Sequence, residues 1–254
     1  MLKAISLSLA LAVSPLLLAQ SPPPSDPQAV TLAAQALAAM TGGSAITDVT
    51  LTGSVTRIAG ADQQTGTATL LAKGFAESRI DLVLSGGNRS EIRNVNAPNN
   101  LGNWIGPDGA VNAIALHNCF IDTSWFFPPL GSMAVAATNP DVVMTYLGQQ
   151  TNLQHIRAYT YKPSLPDDQS LSTMDYYLDT LTLLPNVVMF NEHPDSDQTV
   201  NIAVQVMFSD YRNVNGAQIP FHIQRYVNNS LALDIQLSSV TLNADISDNN
   251  FSVQ

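Results

Sequence analysis

Apolar residues follow two different periods along this 254-residue chain. After an opening apolar run, Val30, Ala33, Ala34, Leu37 and Met40 recur at helical spacing, with Asp26 placed as N-cap, Pro27 as first helical residue and Gly42-Gly43 as the stop. The period then becomes two. Val49, Leu51 and Val55 alternate with Thr and Ser, Gly53 interrupting the apolar face. Segments 65–73, 75–84, 89–95 and 103–114 continue as strands, with Gly86-Gly87-Asn88 and Gly106-Pro107-Asp108-Gly109 at corners. Residues 130–137 and 141–147 are small and apolar and read as short helices. Strands resume at 154–161, 174–178 and 187–192. The whole is a meander of antiparallel strands.

The last three strands carry enough pattern to set their register. Val200, Ile202, Val204, Val206 and Phe208 share one face, as do Ile219, Phe221 and Ile223, then Leu231, Leu233, Ile235 and Leu237. A type I′ turn at Asn215-Gly216 sets Phe208 opposite Ile223. A three-residue loop, Asn228-Asn229-Ser230, sets Ile223 opposite Ile235. A two-residue loop there would put Asp234 on the apolar side. The strand from Thr199 to Arg212 would span roughly 45 Å at about 3.3 Å per residue, which predicts a large curved sheet. Its period breaks after Phe208, where a bulge or the sheet rim is expected. Pro220 lies in a middle strand and is expected at a bulge or beyond the last ladder bond, opposite Tyr211.

The chain ends are read separately. Lys3, the apolar run 4–18 and the small Ala19 form the three parts of an export signal over residues 1–19. The run is too short, and too interrupted by Ser14-Pro15, for a spanning helix of about 20 residues. No later segment is apolar enough to span a bilayer. Residues 20–27 form a stiff Pro-rich linker. Residues 28–254 are expected to be one domain, exported to the periplasm or secreted.

Charge narrows the partners. The chain carries 10 basic and 20 acidic residues, and loss of Lys3 with the signal leaves nine against 20, a net of −11. Such acidity argues against nucleic acid or an anionic membrane as partner. Cys119 is alone, so no internal disulfide forms.

Candidate chemistry is sparse. No G-x-S-x-G elbow, phosphate loop or dinucleotide fingerprint occurs, and the four histidines are scattered, His222 on the polar side of its strand where a solvated ring is expected. His193-Pro194-Asp195-Ser196-Asp197 is the best metal candidate, and an Asp-rich turn explains it more simply. Asp175 and Asp179 have no spacing that fixes a glycosidase pair. No catalytic residue, metal or cofactor is assigned. Arg57 and Arg225 fall on the apolar parity of their strands. Either both reach the solvated rim, or they stand as cations at the mouth of a cavity, holding a lid or an anionic headgroup. Trp125-Phe126-Phe127-Pro128-Pro129-Leu130 is either core or a ligand-facing cluster.

The order of elements is similar to that of a known superfamily. An Ala-rich helix ending in Met40-Thr41-Gly42-Gly43 leads into the meander, and Asn103-Trp104-Ile105-Gly106-Pro107-Asp108-Gly109 sits mid-chain. The tail runs from Phe208-Ser209-Asp210-Tyr211-Arg212 through Asn215-Gly216 and Ile219-Pro220-Phe221 to Val240-Thr241-Leu242-Asn243 and Asp248-Asn249-Asn250-Phe251. This resembles the periplasmic lipoprotein carriers, the LolA-like proteins, particularly exported members of unassigned function. The resemblance implies a mainly β fold, a curved antiparallel sheet forming an incomplete β-barrel closed by helices. It also implies a non-enzymatic carrier whose cavity takes a lipid or a lipoprotein acyl chain. The ligand-binding set would then be Arg57, Trp104, Trp125, Phe126, Phe127, Leu130, Val206, Phe208, Phe221, Ile223, Arg225 and Ile235. The carriers use an inward arginine to hold the lid, and Arg57 is the nearest positional match. The chain is longer than a typical carrier through residues 125–166. The alternative is a secreted interaction or scaffold protein whose sheet interior is packed core.

Overall fold

The computed structural model of the chain describes residues 21–99, 101–161 and 168–253, so the export signal expected over 1–19 lies outside the described residues. The linker residues Ser25 and Asp26 are tied down. The Asp26 N–H donates to the Met144 carbonyl at 2.8 Å, while the Ser25 hydroxyl accepts the Met144 N–H at 3.0 Å and donates to the Val142 carbonyl at 3.4 Å. The Asp26 carboxylate accepts the Gln28 N–H at 2.8 Å and starts helix α1 (Pro27–Thr41) with Pro27 in its first turn, as the sequence predicts. The helix stops at Gly42, whose φ is +62° and where a Cβ would meet the Gly216 carbonyl oxygen at 2.4 Å.

The buried stripe of α1 is Ala29, Ala33, Ala36 and Met40, rotated from the predicted one, and Ala34 is exposed. Alanines occupy the line of closest approach to the sheet, and the larger Val30 and Leu37 flank it half-buried.

The strands are β1 (Asp48–Ala59), β2 (Asp62–Lys73), β3 (Glu77–Leu84), β4 (Gly87–Asn94), β5 (Gly102–Ile105), β6 (Val111–Ala113), β7 (Val142–Gln150), β8 (Leu153–Thr160), β9 (Met174–Asp179), β10 (Pro185–Glu192), β11 (Ile202–Val214), β12 (Ala217–Val227) and β13 (Ser230–Leu242). They make one antiparallel sheet in the order β6-β5-β4-β3-β2-β1-β13-β12-β11-β10-β9-β8-β7. Two meanders therefore meet where the first strand pairs with the last. The sheet curls into a half-barrel that strand pairing does not close. The connection from β6 to β7 carries Trp125, Phe126, Phe127, Leu130 and the short helix α2 (Ser132–Val135) into the hollow, where they pack with β11–β13 and α1. A further short helix, α3 (Asp168–Leu171), precedes β9. Among the described residues no helix is long and apolar enough to cross a membrane.

The C-terminal registers follow the apolar pattern. Phe208 pairs with Ile223, Tyr211 with Pro220, and Ile223 with Ile235. The turn Asn215-Gly216 has both φ values positive, at 53° and 92°, as a type I′ turn requires. The last hairpin reaches the predicted register by another route. Asn228 and Asn229, with φ of 47° and 63°, form a two-residue turn, and a register shift between Arg225 and Tyr226 adds the missing residue at Ala232. The bulge keeps Asp234 off the apolar side, the constraint that the three-residue loop was meant to satisfy. The break after Phe208 is a left-handed Asp210 with φ of 53°, flanked by Ser209–His222 and Tyr211–Pro220 in unchanged register. Pro220 faces Tyr211 as expected, but not beyond the last ladder bond and not at a register-shifting bulge: the pairing runs on in unshifted register to Val214–Ala217, and Pro220 stands beside the unpaired Asp210 position.

The helix expected within 141–147 is instead the strand β7. Val142, Val143, Thr145 and Tyr146 favour extended backbone, and β8 offers them a partner. Residues 128–135 do coil, as a 3-10 turn (Pro128–Leu130) and then α2. Gly53 interrupts the apolar face of β1 for a physical reason. The register with β13 shifts there, and a Cβ would meet the Gln236 carbonyl oxygen at 2.1 Å.

Candidate functional site

Register alone sets out one wall of the site. Leu233 on β13 pairs with Arg57 on β1 and with Arg225 on β12, so the two inward arginines flank one leucine across three strands. The opposite wall comes from β3–β5, where Leu82 pairs with Arg89, Ile80 with Glu91, and Glu91 with Trp104. The curl of the sheet turns these walls towards each other. A pocket of about 250 Å³ lies between them, with Ile80, Leu82 and Leu233 as apolar lining, and Trp125 at one side.

Behind the pocket an ion network ties the halves of the sheet together. The Arg93 guanidinium, 3% exposed, donates through Nε to Glu91 Oε1 at 2.8 Å and through Nη1 to the Asn118 carbonyl, and its Nη2 lies 3.9 Å from Glu192 Oε1. Glu192 Oε2 also accepts from Arg225 Nη2 at 2.5 Å. β4 and β10 have six strands between them in the sheet, yet Arg93 and Glu192 meet across the hollow. Beside them the Asn118 amide accepts the His193 N–H and donates to the His193 carbonyl, both at 2.8 Å.

The arginines are unevenly matched. Arg57 has Asp62 at 3.8 Å, a carboxylate 55% exposed. Arg225 stands over the Trp125 ring, 5.4 Å from its centroid, a cation–π contact with the 125–130 segment. Among the described residues no group hydrogen-bonds or ion-pairs with the Arg89 side chain, and the Nε atoms of Arg89 and Arg225 are both buried without an acceptor. Burial, reinforced by Arg89, pulls the Arg57 guanidinium below its ordinary value against the counter-pull of Asp62. Burial acts to raise the Glu91 carboxyl, and Arg93 with Arg225 outweighs it, holding Glu91 below the ordinary carboxylate range.

Of the sequence candidates, the pocket brings together Arg57, Trp104, Trp125 and Arg225. Trp104 is 42% exposed. Phe126, Phe127, Leu130, Val206, Phe208, Phe221, Ile223 and Ile235 stand in the packed core of the hollow, not on the pocket wall. Arg89, Glu91 and Arg93 escaped the sequence reading. Their signal is an alternation, R-x-E-x-R, that puts charge on the concave face of β4 while Ile92 faces outward, under the C-terminal turn Asp248–Phe251.

Other polar groups lie elsewhere. His222 is not simply solvated: it contacts Asp234 Oδ1 through Nε2 at 3.0 Å and Ser209 Oγ through Nδ1 at 3.2 Å. This Ser–His–Asp row crosses three strands on the outer face, and the pocket described above does not border it. The His193 ring contacts the Val200 carbonyl, and Asp197 accepts from Thr199, so both side chains are engaged in turn formation.

No family model matches the chain, and no curated protein does. Solved structures do. A putative outer membrane lipoprotein-sorting protein domain from Vibrio parahaemolyticus aligns with a TM-score of 0.56 at 12% identity, covering 88% of this chain and 96% of that one. A LolA superfamily protein from Nitrosomonas europaea aligns at 0.55 and 10% identity over 89% and 97%. A DUF1329 family protein from Desulfovibrio piger aligns at 0.54 and 12% identity over 89% and 96%. The fold is therefore LolA-like.

Proposed function

We propose that this LolA-like chain is an exported, non-enzymatic carrier that binds the aliphatic part of a lipid, or of a lipoprotein acyl chain, on the concave side of its sheet. The observation that carries the reading is the pocket itself. Both tryptophans of the chain and the aliphatics Ile80, Leu82 and Leu233 converge on one half-open hollow. In this reading Trp125 is the movable wall. A longer tail enters as the Trp125–Leu130 segment lifts, and then lies along Phe208, Phe221, Ile223 and Ile235, with Val206 deeper. Phe126, Phe127 and Leu130 would close over it.

The test is lipid extraction and native mass spectrometry of protein recovered from the exported fraction, with uptake of a fluorescent fatty acid by the stripped protein. The expected result is a co-purifying lipid and saturable uptake, on a chain beginning at Gln20. A chain with neither lipid nor uptake is the interaction or scaffold protein of the second reading. That reading has its own support: Phe126 and Phe127 are fully buried, so the protein's own side chains fill much of the hollow.

A further inference from the structure

We infer that the pocket recognises an oxyanion headgroup, a carboxylate or a phosphate monoester carried on an aliphatic tail, through Arg57, Arg89 and Arg225. The inference rests on the lipid-binding reading and adds to it the chemistry of the head.

Charge bookkeeping is the first ground. In a chain of net charge −10, four of the seven arginines gather at one place. The two buried-side carboxylates, Glu91 and Glu192, are both engaged by Arg93, and Glu192 also by Arg225. Four guanidiniums against Glu91, Glu192 and the exposed Asp62, which reaches only Arg57, leave one positive charge over. An acidic protein has no bulk reason to concentrate cations in a hollow.

The donors are the second ground. Among the described residues the Arg89 side chain has no partner, and its Nε–H and that of Arg225 are buried with nothing to accept them. A buried donor left unmade costs free energy, so a native one needs an explanation such as a bound anion. Guanidinium suits that role through its planar fork, which matches carboxylate and phosphate oxygens in pairs. Among the described residues the one lysine, Lys73, is held by Asp248 at 2.5 Å and does not line this wall. The lowered Arg57, depressed by burial and by Arg89, is consistent with cations that an anion would relieve.

Size sets the tail. About 250 Å³ equals roughly eight waters at about 30 Å³ each. That admits a headgroup and part of a single chain, with the rest beside Leu82, Leu233 and Trp104.

The experiment is isothermal titration of the exported chain with decanoate, decyl phosphate, decanol and decylamine, and with acetate and inorganic phosphate as tail-less controls. Decanoate and decyl phosphate are expected to bind at least about tenfold more tightly than decanol, with decylamine weaker still. Arg89→Gln is expected to weaken the two anionic probes about tenfold, to leave decanol unchanged, and to leave Tm equal or slightly higher, because among the described residues no group pairs with the Arg89 side chain and its charge works against Arg57. Equal affinity for decanoate and decanol, or an Arg89→Gln chain that binds decanoate as before, overturns the headgroup inference and leaves lipid binding standing. Acetate or phosphate binding as tightly as decanoate reduces the site to a plain anion pocket and overturns the tail. No binding of any ten-carbon probe strikes the lipid-binding reading itself.

Discussion

Replacing Asp122 by alanine is expected to lower the unfolding free energy by about 3–5 kcal/mol, and Tm by roughly 10 °C. Asp122 is 5% exposed and, among the described residues, has no cation beside it. It accepts the Ser132 N–H at 2.8 Å, the Ser132 hydroxyl, and the hydroxyl of the fully buried Tyr176 on β9. These bonds join the 122–135 connection to the sheet at the start of α2. Gly131 passes so close that a Cβ there would lie 2.5 Å from Asp122 Oδ2. Alanine would leave three buried donors without an acceptor, each costing about 1–3 kcal/mol. Urea unfolding checks this, and a wild-type midpoint in the variant would show that these three bonds do not hold the connection to the sheet.

The same carboxyl gives a pH signature. Burial pushes Asp122 above its ordinary value of 3.8, and the bonds from Ser132 and Tyr176 only partly offset it. The folded state therefore holds this proton to higher pH than the unfolded state. The contribution of Asp122 is fully present below 3.8 and is lost as pH rises towards the folded value. Other carboxylates, such as Asp175, held low by Arg157 and His155 against the upward push of burial, work in the opposite sense. The informative quantity is thus the stability difference between wild type and Asp122→Asn. It is expected to move against the wild type as pH rises from 3.8, and a flat difference would contradict it.

Arg93→Met carries the second large effect, a loss of about 2–3 kcal/mol, below that of a fully buried pair because the Glu91 side chain is 35% exposed and keeps Arg225 nearby. Arg93 raises no hydration shell of its own at 3% exposure, and burial works to neutralise it. Glu91 and Glu192 outweigh burial and hold it charged. Methionine would fill the space and leave Glu91 as a charge without its partner. The double variant Glu91→Gln/Arg93→Met is expected to recover most of the loss, since Glu192 keeps Arg225. A double variant as weak as Arg93→Met alone would place the cost in packing or in the lost bond to the Asn118 carbonyl rather than in the stranded charge.

Much of the sheet was legible because its information is local. Period-two alternation and Asn-Gly fixed the Phe208–Ile223 pair, and the need to keep Asp234 outward fixed Ile223 against Ile235. The bulge that achieves this was not legible, since one extra residue in either strand or turn satisfies the same pattern. Residues 141–147 suit a short helix in sequence equally well, and only β8 beside them makes them strand. The inward parity of Arg57 and Arg225 was also legible. What joined them to Arg89, Glu91 and Arg93 was the curl that brings β4 to face β10, a long-range property that no run of residues encodes. On β4 the usual apolar-inside rule is reversed as well, with Ile92 outward and the charges within.

The bonds from Ser25 and Asp26 to Val142 and Met144 have a consequence for assembly. One border of the sheet is β6, three residues long and too short to recruit another chain. The other is β7, nine residues long, and the linker occupies the start of its free side. The linker therefore works as a guard against edge-to-edge polymerisation. A chain trimmed past Asp26 would expose that border as a template, and its aggregates would grow from β7.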